Sequence, residues 1–262
     1  MFGLRGFRRR RKRINTGKGP IIPSTGEDLQ VDLHFELEKN HRVIKDLFER
    51  CYDIAFRPFR IGKKIEAEII FIENMADFDE INDHVLAPLM RASLTRPEEI
   101  EQFLREELPV VFAKPIHTFD ECARHVAAGD PVLFINGWNR ALNLGLIRWD
   151  KRMVDEPEIE PVIRGSKEGF IESVQTNTAL LRRRIQSPQL KMEEIRLGRY
   201  TQTRVIVAYI EGIVDEGVRD EVKRRLERID IDGVLESGYI EELIEDNPYS
   251  PFPQIHSTER VD

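Results

Sequence analysis

The sequence predicts a mixed α/β fold: two small α/β subdomains joined by a linker and preceded by a disordered basic arm. Three observations carry this reading. Apolar runs of strand length, Ile69-Ile70-Phe71-Ile72 and Val205 through Ile210, alternate with helix-period patterns. An acidic stretch with two prolines, Asp155-Glu156-Pro157-Glu158-Ile159-Glu160-Pro161, separates two such sets. Residues 1–30 show no apolar period and are punctuated by Gly17, Gly19, Pro20, Pro23 and Gly26. The expected organisation is an arm over 1–30, a first subdomain over 31–153 and a linker over 154–161. A second subdomain over 162–247 and an extended tail over 248–262 complete it.

In chain order, Phe35, Leu37, Ile44, Leu47, Phe48, Cys51 and Ile54 share a helical face, and Pro58 and Gly62 end that unit. Residues 65–72 alternate and then turn apolar on both faces, as a central strand covered by helices would. Asp77 with Glu80, and Thr95 with Glu98 around Pro97, mark two helix starts. Thr118 with Glu121 caps a further helix that stops at Gly129. Val132-Leu133-Phe134-Ile135 reads as a strand, Asn136-Gly137 as a hairpin turn, and Leu142, Leu144 and Leu146 as the returning strand. The second set is expected to hold a helix over residues 170–185, a strand near 192–197 and a strand over 205–210. A helix over 215–228, a strand near Val234 and a helix near 239–244 follow it. The helix over 215–228 begins with acids and ends with bases, which suits its dipole.

Composition narrows the function. Of 262 residues, 40% are hydrophobic and 33% charged, enough for a core under a strongly charged surface. No apolar run approaches the roughly 20 residues of a membrane span, and no apolar core follows the basic start as in a secretory signal. Cys51 and Cys122 read as buried, reduced thiols. The net charge of -7 conceals an asymmetry. Arg5, Arg8, Arg9, Arg10, Arg11, Lys12 and Arg13 stand without an acid among the first thirteen residues, whereas Glu211 to Asp262 holds fifteen acids and six bases. A basic tail on an acidic body is an interaction-arm pattern. Its readings are a salt-sensitive nucleic-acid arm, a patch for an anionic membrane surface, or a solvated tail.

No motif supplies catalytic chemistry. Gly165-Ser166-Lys167-Glu168-Gly169 has three residues between its glycines and no following Lys, so it is not a phosphate loop. With Arg164 it remains a joint, or a place where a small anion or ligand could meet a helix start. Asp77-Phe78-Asp79-Glu80-Ile81-Asn82-Asp83-His84 lacks the glycine of a calcium loop. Cys122 and His125 lack a second pair for zinc. No serine sits in a nucleophile elbow. The expectation is a non-enzymatic chain without cofactor or metal. In the helix over 170–185, Asn177, Thr178, Arg182, Arg183 and Arg184 read either as parts of a packed helix or as a contact surface for a partner.

The run Pro161 to Arg184, PVIRGSKEGFIESVQTNTALLRRR, resembles the A-subunit family of spore germinant receptors, the GerA type. Thr203 to Ile213, Val222-Lys223-Arg224-Arg225-Leu226, Gly238-Tyr239-Ile240-Glu241 and the end, Phe252-Pro253-Gln254 through Thr258-Glu259-Arg260, are similar too. The resemblance covers residue 161 to the terminus, and the first half shares mainly its layout. It implies a soluble N-terminal domain on the cytoplasmic, spore-core side of the spore inner membrane, followed by membrane helices absent from this chain. It also implies B and C subunits and other A subunits as partners, amino-acid or sugar germinants as signals, and no enzymatic activity. An adjacent anionic membrane then favours the lipid-surface reading of Arg8, Arg9, Arg10, Arg11, Lys12 and Arg13 over nucleic acid. The expected role is receptor assembly and signal coupling. The alternative is direct binding of a nutrient germinant in a cleft between the subdomains.

Overall fold

The computed structural model describes residues 30–94, 96, 98–107, 113–145, 168–247 and 249–261. The expected arm over 1–30, apart from Gln30, and the linker over 154–161 lie outside them. The fold is mixed α/β, as expected. A five-stranded sheet takes Ile54–Ile61, Ile65–Ile72, Val132–Ile135, Ala141–Asn143 and Lys114–Ile116 in that spatial order, antiparallel at every pairing, and a separate two-stranded ribbon pairs Leu190–Leu197 with Thr203–Ile210.

The first unit opens with α1 (Leu37–Leu47), whose ladder closes at Phe48. The expected helical face does not continue past this point. Arg50 turns the chain at φ 63°, and β1 (Ile54–Ile61) follows. Pro58 is tolerated there because β1 is an edge strand, where a missing N–H leaves no neighbour unpaired. Gly62 and Lys63, both at positive φ, lead into β2 (Ile65–Ile72). β2 lies between β1 and β4 and is buried from Ala67 onward.

Both faces of this sheet are covered, which explains why β2 reads as apolar throughout. Ala67, Ile69 and Phe71 share one core with Ile81, Val85 and Leu89. Ile70 joins Ile44, Phe48, Phe119 and Val126 in the other. The first set of helices is α2 (Phe78–Ile81), a π-helical turn over Asn82–Leu86, α3 (Ala87–Arg91) and α4 (Glu98–Glu107). Asp77 caps α2 through the amides of Asp79 and Glu80. Pro88 offers no N–H and crowds the carbonyl four residues back. The wider turn, with Ala87 N–H reaching Asn82 O, accommodates it. Thr95 and Pro97 lie outside the described residues.

β3 (Lys114–Ile116), which the sequence pattern did not announce, forms the far edge. α5 (Phe119–Ala128) begins in the expected capping box of Thr118 and Glu121 and ends at Gly129 in the left-handed region. A Cβ at Gly129 would approach the Met75 side chain to 2.5 Å. β4 (Val132–Ile135) and β5 (Ala141–Asn143) are joined by five residues, not a two-residue turn. The reason is that Asn136 is engaged elsewhere: its Oδ1 accepts from Leu37 N–H at the start of α1.

The second unit comprises α6 (Val174–Arg184), β6 (Leu190–Leu197), β7 (Thr203–Ile210), α7 (Glu216–Glu227) and α8 (Ser237–Ile244). α6 starts four residues after the expected Phe170, because Ser173 caps it through Thr176 N–H. Leu197, Val205, Val207, Leu226, Val234 and Ile240 gather in one small core. Val234 is not in a strand: Thr203 Oγ1 donates to its carbonyl and its N–H donates to Thr201 Oγ1. Among the described residues after Glu245 there is no helix or strand. The tail turns back instead, so that Arg260 bridges Gly169 and Phe170 N–H donates to Glu259 O at 2.7 Å.

Candidate functional site: the junction of the two units

Three polar or charged residues bring the halves together. Asp53 precedes β1, Thr178 and Arg182 lie one turn apart on α6, and all three are buried. Arg182 meets Asp53 in a bidentate pair, Nε to Oδ2 and Nη2 to Oδ1, each 2.9 Å. Its Nη1 donates to Leu190 O at 2.9 Å. Burial alone would lower the Arg182 pKa, but the hydrogen bonds and charge of Asp53 outweigh it, so the guanidinium is held above its ordinary value. A buried, planar, bidentate contact of this kind fixes geometry as well as charge.

The neighbours complete the joint. Thr178 Oγ1 accepts from Tyr52 Oη at 3.1 Å and Asn74 Nδ2 at 3.3 Å, and donates to Gln175 O. Burial raises the pKa of the Tyr52 phenol. Tyr52 N–H donates to Met192 O and Met192 N–H to Arg50 O, so residues 50–52 extend the β6 edge. Cys51 sits against Leu190 O, its thiol pKa raised by burial. Lys191 is buried and donates to Leu47 O at 2.7 Å, where a cation complements the last turn of α1. Ile72 and Met75 pack on Ala179.

This placement corrects two of the expected surface positions. Thr178 and Arg182 face inward, because Asp53 and Tyr52 supply the partners that solvent or a second protein would otherwise provide. Asn177 is half-buried and clamps the helix entry: its Oδ1 accepts from Ile171 N–H and its Nδ2 donates to Ile171 O. Arg183 is half-buried, and Arg184 is exposed and pairs with Glu168 at 2.9 Å. Arg164, Gly165, Ser166 and Lys167, like Arg8 to Arg13, lie outside the described residues. Glu168 and Gly169 are described, and they join α6 and the tail. Sequence reasoning did not single out Tyr52, Asp53, Asn74 or Lys191. A hydrophilic residue at a strand start carries no signal of a partner 129 positions away.

His125 Nδ1 lies 2.8 Å from Asp130 and Asn143 closes that cluster, while Cys122 is buried in the core. Among the described residues no group of three His, Cys, Asp or Glu side chains is placed to hold a metal. No described helix is long and apolar enough to cross a membrane.

The mixed α/β fold matches a known class of protein. The family model described as Bacillus/Clostridium GerA spore germination protein matches residues 42–262, and the chain belongs to that family. It is similar to the crystal structure of the N-terminal domain of the A subunit of the Bacillus megaterium spore germinant receptor GerK3. The TM-score is 0.68 and the identity 32%, covering 88% of this chain and 86% of that one. It is also 41% identical over 226 residues to the Bacillus subtilis protein described as uncharacterized membrane protein YfkQ, covering 86% of this chain and 44% of that protein. Identity to Bacillus subtilis spore germination protein KA is 36% over 229 residues, 86% of this chain and 42% of that protein. The chain thus spans less than half the length of these two relatives.

Proposed function

We propose that this chain is the N-terminal domain of a nutrient germinant receptor A subunit and acts in receptor assembly and signal coupling without catalysing a reaction. In this reading it faces the cytoplasm, the spore core, from the spore inner membrane. Receptor B and C subunits and other A subunits are its partners.

The observation that supports coupling is one continuous path. The tail pairs with residues 169–170. Those residues enter α6 through the Asn177 clamp. α6 then locks onto Asp53 of the first unit through Arg182. A displacement of the tail therefore reaches the first sheet through hydrogen bonds rather than through a loose linker. Arg183 and Arg184, on the last turn of α6, are the part of the expected contact surface that a partner can still approach.

The test is Phe170→Pro in the full-length receptor in spores. It removes the N–H that holds Glu259 and leaves Arg182 in place. Nutrient germination is expected to fall severalfold while receptor abundance stays normal, and unchanged germination at normal abundance would sink the coupling role.

A further inference from the structure

We infer that a groove between α7, α8 and the tail is the seat of this chain's own basic arm, residues 1–13. The groove encloses about 630 Å³. Val218 and Val222 of α7, Ile244 of α8 and Ile255 of the tail form its apolar floor. Val218 is 59% exposed, so the floor lies open. The charged residues of the rim are Asp215, Glu221, Glu245, Asp246 and one cation, Arg225. Arg225 is already engaged: it bonds Glu221 at 2.7 Å, the Ile244 carbonyl at 2.5 Å, and Asp246. From Asp230 to Asp246 the sequence carries seven acids and no base.

An occupant must therefore bring apolar side chains and cations together. An anionic lipid surface supplies the wrong charge for this face. Residues 1–13 supply the right one: Phe2, Leu4 and Phe7 precede six consecutive cations, Arg8 to Arg13, and no acid intervenes. The apolar side chains suit the floor and the cations suit the acids around it. Residues 14–29 connect the arm to the described fold. Sixteen residues reach at most about 55 Å, against a radius of gyration of about 18 Å for a compact chain of this length. Reach is not limiting. Attraction among exposed charges is screened over about 8 Å at physiological salt, so docking depends on ionic strength. This inference stands independently of the coupling role.

The test compares amide exchange in the whole chain, the arm variant R8Q/R9Q/R10Q/R11Q/K12Q/R13Q, and the groove variant V218K. At low salt, exchange between residues 241 and 256 is expected to rise roughly threefold or more in both variants, because docked segments open less often. Exchange in β2 and β4 should stay unchanged, which shows that the fold is intact. Added salt should bring the unmodified chain to the variants' rate. Dependence on protein concentration would assign the arm to a neighbouring copy, and independence would assign it to the same chain. Both outcomes support docking. Unchanged exchange in the arm variant overturns it, whatever V218K does. If vesicles of anionic phospholipid then capture the unmodified chain but not the arm variant, the arm belongs to the lipid surface instead.

Discussion

Arg182 shows how a member of an outwardly basic run can be buried by a partner far along the chain. The run Arg182-Arg183-Arg184 signals a basic helix end, yet its first member is fully buried on a carboxylate from the other half of the chain. Nothing local distinguishes it from its neighbours, because burial depends on Asp53 arriving from 129 positions away. Replacing Arg182 with Met strands the Asp53 carboxylate. Urea unfolding should show a loss of about 3–5 kcal/mol, the usual cost of breaking one side of a buried pair. Adding Asp53→Asn should recover part of that loss. Thr178→Val leaves the Tyr52 hydroxyl and Asn74 amide without their acceptor, and the same measurement should show about 1–3 kcal/mol. A charge-reversal test of the α6 surface belongs at Arg183 and Arg184, since reversing Arg182 would report on folding.

The elements were the most legible level. β2 and β4 fall over the expected residues, and Asp77, Thr118 and Asp215 each cap a helix through its first amides. Those signals are local, so sequence carries them. β1 and β3 were not legible, because an edge strand with Pro58 and a three-residue strand lack a clean period. The Asn136-Gly137 pair does not make a two-residue turn, because Asn136 bonds across to α1. Thr118→Ala removes the cap from Glu121 N–H and should cost about 1 kcal/mol in thermal or urea unfolding.

On α7, Arg224 and Arg225 hold the Glu221 carboxyl at about 2, below its ordinary 4.5. A depressed folded-state pKa adds stability above the unfolded value, and that stability fades as pH falls through the folded one. The Glu221 contribution should therefore be present above pH 4.5 and disappear towards pH 2. Glu221→Gln should flatten the acid limb of the stability curve in that window. Because the group is exposed, added salt should shrink the difference.

At the scale of the whole molecule, the first sheet and α6 meet through both matched polar groups and apolar packing. A thermal-shift series with amino acids and sugars tests the alternative of direct nutrient binding: a ligand at 100 times its Kd would add about 2.7 kcal/mol, and no shift with any of them would count against it. The family could be read from residues 161 onward. The junction could not, because its partners stand far apart in the sequence. That distance has a consequence for biosynthesis. At about 5–20 residues per second, Arg182 leaves the ribosome roughly 6–26 s after Asp53. During that interval the first sheet can be complete while its boundary carboxylate is still hydrated, and burial waits for the guanidinium. The ion pair thus acts as a timing device: the nascent first half cannot acquire its final boundary until α6 has been made.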